Sequence, residues 1–255
     1  MQLGWCSLLL LLSFVVSFVV KAGVCPAELR MPYNSTWLPY VEVRDEAVTG
    51  ADIELIRKTL AAVGTELKLL PLPESRALSQ LEHGQVDLLF AASYTKERAL
   101  YAWFSAPYRR EINQLVVHQQ LLQKYPELHS KQGFLTLASR RLAGTYNPKG
   151  FYGEEFEVLK QLPAVIQRSL AIFDPEQRLE LVLSQRADYS IVDQNWLELR
   201  NKQRGPEAML AVLPFILYQA DIHLMFSKKT VTAACVDALN VQLQQKTKPG
   251  VATRS

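Results

Sequence analysis

Two stretches of this chain follow one plan. In the first, an amphipathic run over Glu74–Glu82 meets a turn at Gly84; Asp87 follows, and the apolar strand Leu88–Ala92 ends in Ser93. In the second, Pro175–Ser184 meets a turn at Gln185–Arg186; Asp188 follows, and Tyr189–Val192 ends in Asp193. Helix, turn, acid, strand and polar end, met twice, predict an α/β chain built as two lobes of similar design. The rest of the sequence alternates in the same way. ELRMPY (28–33) reads as a strand and YVEVRDEAVTG (40–50) as a hairpin ending in Gly50. ADIELIRKTLAAVG (51–64) reads as a helix with Ile53, Ile56, Leu60 and Val63 on one face, and ELKLLPL (66–72) as the next strand.

Ligands of open α/β sheets bind outside the carboxyl ends of the strands. Two facing lobes would therefore bring Ser93–Arg98 from one side against Asp193 from the other. One wall is cationic and rich in hydroxyls, the other acidic. The pairing suits a zwitterion, with a carboxylate in the fork of Arg98 and an ammonium on Asp193. Each residue also has a plainer reading. Arg98 reads equally as a surface ion pair, Ser93 as a helix-capping hydroxyl, and Asp193 as the N-cap of QNWLELR. Asp52 and Asp87 read as structural, at a helix start and a turn.

Bulk properties exclude several classes. Of 255 residues, 49% are apolar, enough for a sizeable core, and the net charge is only +3 with no block of basic residues. That argues against a nucleic-acid partner, since Arg109–Arg110 and Arg140–Arg141 are too short a footprint. The four histidines lack ligand spacing, and neither a nucleophile elbow nor a phosphate-binding glycine loop is present, so no metal and no cofactor is expected. The apolar stretch Leu8–Val20 fits an export signal over 1–22, either cleaved near Val20-Lys21-Ala22 or kept as an anchor. Cys25 and Cys235 then remain, as a disulfide or as two buried thiols.

The motifs VTGADIELIRKTLAAVG, RALSQLEHGQVDLLFAASYTKERALYAWFSAPY, GFYGEEF and ADYSIVD occur in that order. Together they resemble the family 3 extracellular solute-binding proteins, periplasmic receptors of polar amino-acid ABC transporters. The middle motif carries most of the likeness: Gly-x-x-Asp, an apolar strand, hydroxyls, Thr-x-x-Arg and Phe-Ser-x-Pro-Tyr. The resemblance implies an α/β, bilobed periplasmic-binding-protein-like fold of type II, two lobes joined by a two-strand hinge. Lobe 1 would span 25–115 plus 219–255, and lobe 2 would span 120–214. The hinge would lie near QLVVHQ and LPFILYQA.

By the same resemblance Arg98 takes the ligand carboxylate, assisted by Ser93 and by the backbone from Ala91. Asp193 takes the ammonium. Trp37 and Tyr40 pack on the ligand, and Gly150, Phe151 and Tyr152 form the lobe 2 loop before a helix whose amides can face an anion. The implied partners are a small amino acid-like ligand and the membrane permease of an ABC transporter, for a monomeric, non-enzymatic receptor in the periplasm. Three stretches depart from the family: Ala92-Ser93-Tyr94-Thr95 replaces Gly-x-Thr-x-Thr, TYNPKG is longer than the family turn, and the closing LQQKTKPGVATRS lacks the usual ending. The rivals are a dehydratase-like enzyme on the same fold, using Glu154, Glu155 or Asp193 as its acid, and a sensory binding module.

Overall fold

The computed structural model describes residues 23–45 and 47–247. The expected export signal and the last residues of the chain lie outside them. The chain opens with β1 (Glu28–Tyr33), the hairpin β2 (Glu42–Arg44) and β3 (Ala47–Thr49), α1 (Ala51–Ala61) and β4 (Glu66–Pro71). Next come α2 (Glu74–Glu82), β5 (Leu88–Ser93), α3 (Lys96–Tyr101) and β6 (Ala102–Phe104). A long strand, β7 (Arg109–His118), leads to α4 (Gln119–Lys124), α5 (Lys131–Arg140), β8 (Gly144–Tyr146), α6 (Glu154–Leu159) and α7 (Pro163–Arg168). Then follow β9 (Leu170–Ala171), α8 (Pro175–Leu183), β10 (Tyr189–Asp193), α9 (Gln194–Arg204) and β11 (Leu210–Val212). A second long strand, β12 (Tyr218–Ser227), returns, and α10 (Ala233–Thr247) ends the described chain.

The apolar periodicity decides where these elements pack. Ile53, Ile56 and Leu60 of α1 are fully buried, and each such side chain contributes roughly 1.5–3 kcal/mol. Gly50 precedes α1 with φ +120°, and a Cβ there would stand 2.3 Å from the Tyr40 carbonyl oxygen, so only glycine lets the hairpin turn into the helix. Two large cores result. One gathers Leu29 and Met31 of β1, the α1 stripe, Phe226 and Leu239. The other gathers Leu115, Phe134, Phe156, Tyr189 and Leu217.

The main sheet has the strand order β5-β12-β7-β10-β8-β9, with β6 added on β12 and β11 on β7; β1 and β4 form a separate parallel pair. This sheet is mixed and not parallel throughout. The long strands run antiparallel to each other over Arg109–Asn113 and Tyr218–Ile222. Beyond that overlap each passes to a different neighbour. From Asn113 onward β7 pairs β10, starting at Asp193, while from Ile222 onward β12 pairs β5, starting at Ser93. The polar ends of β5 and β10 therefore both stop at the crossing, offset by about 13 Å of strand. Of the segment expected to cross, 213–217 is loop and not strand, although Leu213 N and Leu217 N still donate to Leu115 O and Asn113 O. Pro214 within it has no N–H to offer a ladder.

A largely buried arginine, its side chain 13% exposed, fixes the start of the crossing strand. Arg109 Nε donates to Asp52 Oδ2 at 3.3 Å and Nη1 to Glu111 Oε2 at 3.3 Å. Its guanidinium lies 3.9 Å from the Tyr40 ring centroid and 5.4 Å from that of Trp37. Burial works against this charge, but Tyr108, Asp52 and Glu111 around it hold its pKa above the usual arginine value. Tyr108 hydroxyl donates to Asp52 at 2.6 Å and accepts from Ala91 N at 3.1 Å. Asp52, read from the sequence as a helix-start charge, is thus a buried counter-ion 3% exposed.

Cys25 and Cys235 are joined by a disulfide within the first core, 210 residues apart. Replacing both by serine is expected to lower unfolding stability by up to about 5 kcal/mol on the chain-entropy estimate for so long a loop, read by denaturant titration. Arg109→Met leaves buried Asp52 and half-buried Glu111 without their cation and is expected to cost up to about 3–5 kcal/mol at neutral pH. Burial already raises the pKa values of Asp52 and Glu111, so in the variant the folded state takes up protons more readily than the unfolded chain. Its deficit relative to wild type should therefore shrink as the pH falls. An unchanged deficit at acid pH would show that the ion pairs are not its cause.

Candidate functional site

Where the two strand ends stop, a cavity of about 240 Å³ opens between the cores. Its first wall is the corner after β5. Ala91 adopts φ +53°, a left-handed backbone rare for alanine, and its N–H is turned back onto Tyr108. Thr95 caps α3 by accepting from Arg98 N at 3.2 Å. The cap sets Arg98 over the strand end: Nη1 donates to Ser93 O at 3.0 Å, and Nη2 reaches across to Lys149 O at 2.9 Å. Burial lowers the pKa of this guanidinium without bringing it near neutrality. It remains a cation with donors in hand, which is what an anion at this corner needs.

The opposite wall is Asp193, 7% exposed at the end of β10. Oδ1 accepts from Trp196 N at 2.9 Å, capping α9, and from Tyr40 hydroxyl at 3.0 Å. Oδ2 is buried and has no hydrogen-bond partner among the described residues. Burial raises the pKa of this carboxyl, an energetic cost that a cation placed beside it would relieve. The capping and site readings are therefore compatible in one side chain, because each uses a different oxygen.

Arg98, Ser93, Asp193, Trp37, Ala91, Gly150, Phe151 and Tyr152 all line the cavity. Tyr40 does not: it is 4% exposed and stands behind Asp193, held there by Asn195 Nδ2 at 3.0 Å and stacked on Trp37 at 4.7 Å between centroids. Gly150 permits the return of its own loop, since a Cβ there would meet the Tyr152 ring at 2.5 Å. The helix after this loop offers little to an anion. The first turn of α6 carries Glu154, Glu155 and Glu157, and Glu157 Oε1 accepts from Tyr152 N at 3.3 Å. Glu154 and Glu155 are exposed and absent from the lining, which removes them as cavity acids.

Other polar residues line the cavity that the motif reading did not single out. Glu74 opens α2 and accepts from Asn147 Nδ2 at 2.6 Å, across the gap between the cores. Glu111 accepts from Asn113 Nδ2 at 3.1 Å on β7, and Arg178 of α8 lines the same cavity. Burial raises the pKa values of Glu74 and Glu111 and lowers that of Arg178. Among the described residues no cluster of three or more His, Cys, Asp or Glu could hold a metal, and no helix is long and apolar enough to cross a membrane.

Solved structures share this architecture. An amino acid ABC transporter substrate-binding protein of Streptococcus pneumoniae bound to L-arginine aligns with TM-score 0.66 at 20% identity, over 86% of this chain and 88% of that one. An ABC uptake transporter substrate-binding protein from the same organism with bound histidine aligns at 0.70 and 16% identity, over 87% of each chain. An ancestral amino acid-binding protein, a precursor of cyclohexadienyl dehydratase, aligns at 0.68 and 18%, over 88% and 91%. None of the curated proteins matches. The fold is that of the type II periplasmic binding proteins, two α/β lobes on a two-strand hinge. The sequence model of the bacterial extracellular solute-binding proteins, family 3, matches residues 29–251, and the chain belongs to that family.

Proposed function

We propose that this protein captures a free amino acid or a closely related zwitterionic carboxylate outside the cytoplasm and delivers it to an ABC transporter. The observation that carries this reading is the pairing of Arg98 with Asp193, whose second oxygen is buried and unpartnered, on opposite walls of one cavity. Arg98 takes the carboxylate through its guanidinium fork, and Ser93 and the amides near Ala91 assist. Asp193 takes the ammonium. Trp37, Phe151 and Tyr152 supply apolar walls. Neighbours of the same fold that hold arginine or histidine are consistent with such a ligand. Segments 25–115 with 219–255 would move as one body and 120–214 as the other. Ligand contacts made only when both walls meet would shift the population toward the closed form. Export by the N-terminal apolar segment and release in the periplasm complete the reading.

A second reading is an enzyme on this fold. Glu74 and Glu111 favour it, as half-buried cavity acids whose pKa values desolvation raises, together with the fold shared with a dehydratase precursor. Receptor and enzyme separate on one measurement. A receptor returns its ligand unchanged after prolonged incubation, and an enzyme does not.

A thermal-shift screen against amino acids and small carboxylates should raise the melting temperature of the native protein with a subset of them. Arg98→Ala should weaken that ligand by about 30-fold or more, as expected when one partner of a buried charge pair is removed. A cooperatively melting protein that no such compound stabilises would refute the receptor reading. Binding also carries a pH signature. An ammonium needs Asp193 ionised, and burial places its pKa above the ordinary carboxylate range. Protons therefore compete from a higher pH than they would at a free carboxylate. Calorimetric affinity should fall on acidification, beginning at a higher pH than the protonation of an ordinary carboxylate would set, and less steeply in Asp193→Asn, with Glu111 supplying the remaining slope. An affinity that rises on acidification would contradict the assignment.

A further inference from the structure

The cavity holds more charge than one α-amino acid head can use. Arg98 and Asp193 account for one carboxylate and one ammonium. Glu74 and Arg178 form a second pair of opposite sign on the same lining, near enough to influence each other's ionisation. Arg178 is 6% exposed. Its Nη1 is taken by the carbonyls of Ile172 and Phe173, at 2.9 and 2.6 Å, while its Nε is buried and has no partner among the described residues. Glu74 uses Oε1 on Asn147, and no hydrogen bond to Oε2 is seen among the described residues. The second pair therefore keeps donor and acceptor capacity in a place where water is scarce.

The turn that brings the two pairs together is short. Asn147 faces Glu74, Lys149 O faces Arg98, and Gly150 N closes on Asn147 O at 3.1 Å. A small ligand folded over this turn can touch both pairs. Charge balance narrows the choice. Lining acids Glu74, Glu111 and Asp193 are matched by Lys149, Arg98 and Arg178. A ligand with one head and a cationic or anionic side chain would leave one member of the second pair uncompensated. A ligand with two zwitterionic heads would satisfy both and bring no net charge.

We infer that the ligand is a diamino dicarboxylate, with two α-amino acid heads, one held by Arg98 and Asp193 and the other by Arg178 and Glu74. The inference rests on the receptor reading above and deepens it.

The test is calorimetry on the purified protein with meso-2,6-diaminopimelate and L-cystathionine as two-headed probes. The single-headed comparisons are L-lysine, L-2-aminoadipate and L-norleucine. A two-headed probe should bind at least about tenfold tighter than each single-headed one, as one added charge-assisted contact pair would give. Glu74→Gln and Arg178→Lys should each reduce that preference to about threefold or less and leave the affinity for L-norleucine, whose side chain offers the second pair no charge, within about twofold. Arg178 also staples the 172–173 carbonyls, so Glu74→Gln carries the test if the arginine variant does not fold. Single-headed ligands that bind as tightly as two-headed ones, in an Arg98-dependent manner, would overturn this inference and leave the receptor reading standing. Variants that weaken every ligand equally would overturn it too. A folded protein that binds none of the five, nor any amino acid in the thermal screen, would remove both readings.

Discussion

A guanidinium held largely away from water links the two sides of this site. Arg109 stands at the first residue of the crossing strand, and both the Tyr108–Ala91 turn and the Tyr40–Asp193 contact are placed with respect to it. Its ion pair with Asp52 orients the Tyr108 hydroxyl, which in turn holds the Ala91 amide in its left-handed turn. On the other side it lies on the Tyr40 ring, and Tyr40 reaches Asp193. A buried ion pair is weak evidence for net stability, because desolvation consumes most of the Coulombic gain. What such a cluster supplies is position. One cation sets the corner after β5 and the acid at the end of β10 in a fixed relation, although they come from different parts of the chain.

Most of the fold was legible in the sequence because most of it is local. Pro175–Leu183 and Glu74–Glu82 form helices where apolar periodicity asked for them, and β5 and β10 end in the hydroxyl and the acid that the pattern marked. The connection between strands was not legible. The mixed sheet, with β5 antiparallel to β12, depends on a return strand more than a hundred residues away in sequence, and no local pattern encodes it. The lining residues divide the same way. Arg98 and Asp193 sit at ends of elements, where a motif can show them. Glu111 and Asn113 sit inside a strand, and their signal was fainter: they share the period-two face of buried Leu115. Arg178 left a similar trace, four residues before buried Val182 on one helical face. A charged residue on an apolar stripe was the available clue in both. Tyr40 shows the opposite error, since an aromatic next to a site by sequence can support it from behind.

The bonds across the gap have a bearing on energetics. Arg98 to the Lys149 carbonyl, Glu74 to Asn147 and Tyr40 to Asp193 all tie elements of the first core to elements of the second. A ligand entering between them exchanges some of these bonds for its own. The free energy available to drive closure is then the difference between the two sets, and not the sum of the ligand's contacts. Tight binding in such a site requires better geometry than the protein already provides for itself.

The disulfide has a consequence for the order in which this molecule can be made. Cys25 and Cys235 sit in one core, and the strand that completes that core, β12, follows the whole of the second core in the chain. A polypeptide emerging from its N-terminus therefore presents the second core complete while the first still lacks β12 and α10. During that interval the thiol of Cys25 has no partner, and β5 has an open edge of the kind that invites wrong pairing. Bond formation between the two cysteines can follow only once α10 has arrived. The covalent link thus records the arrival of α10 as well as bracing the core.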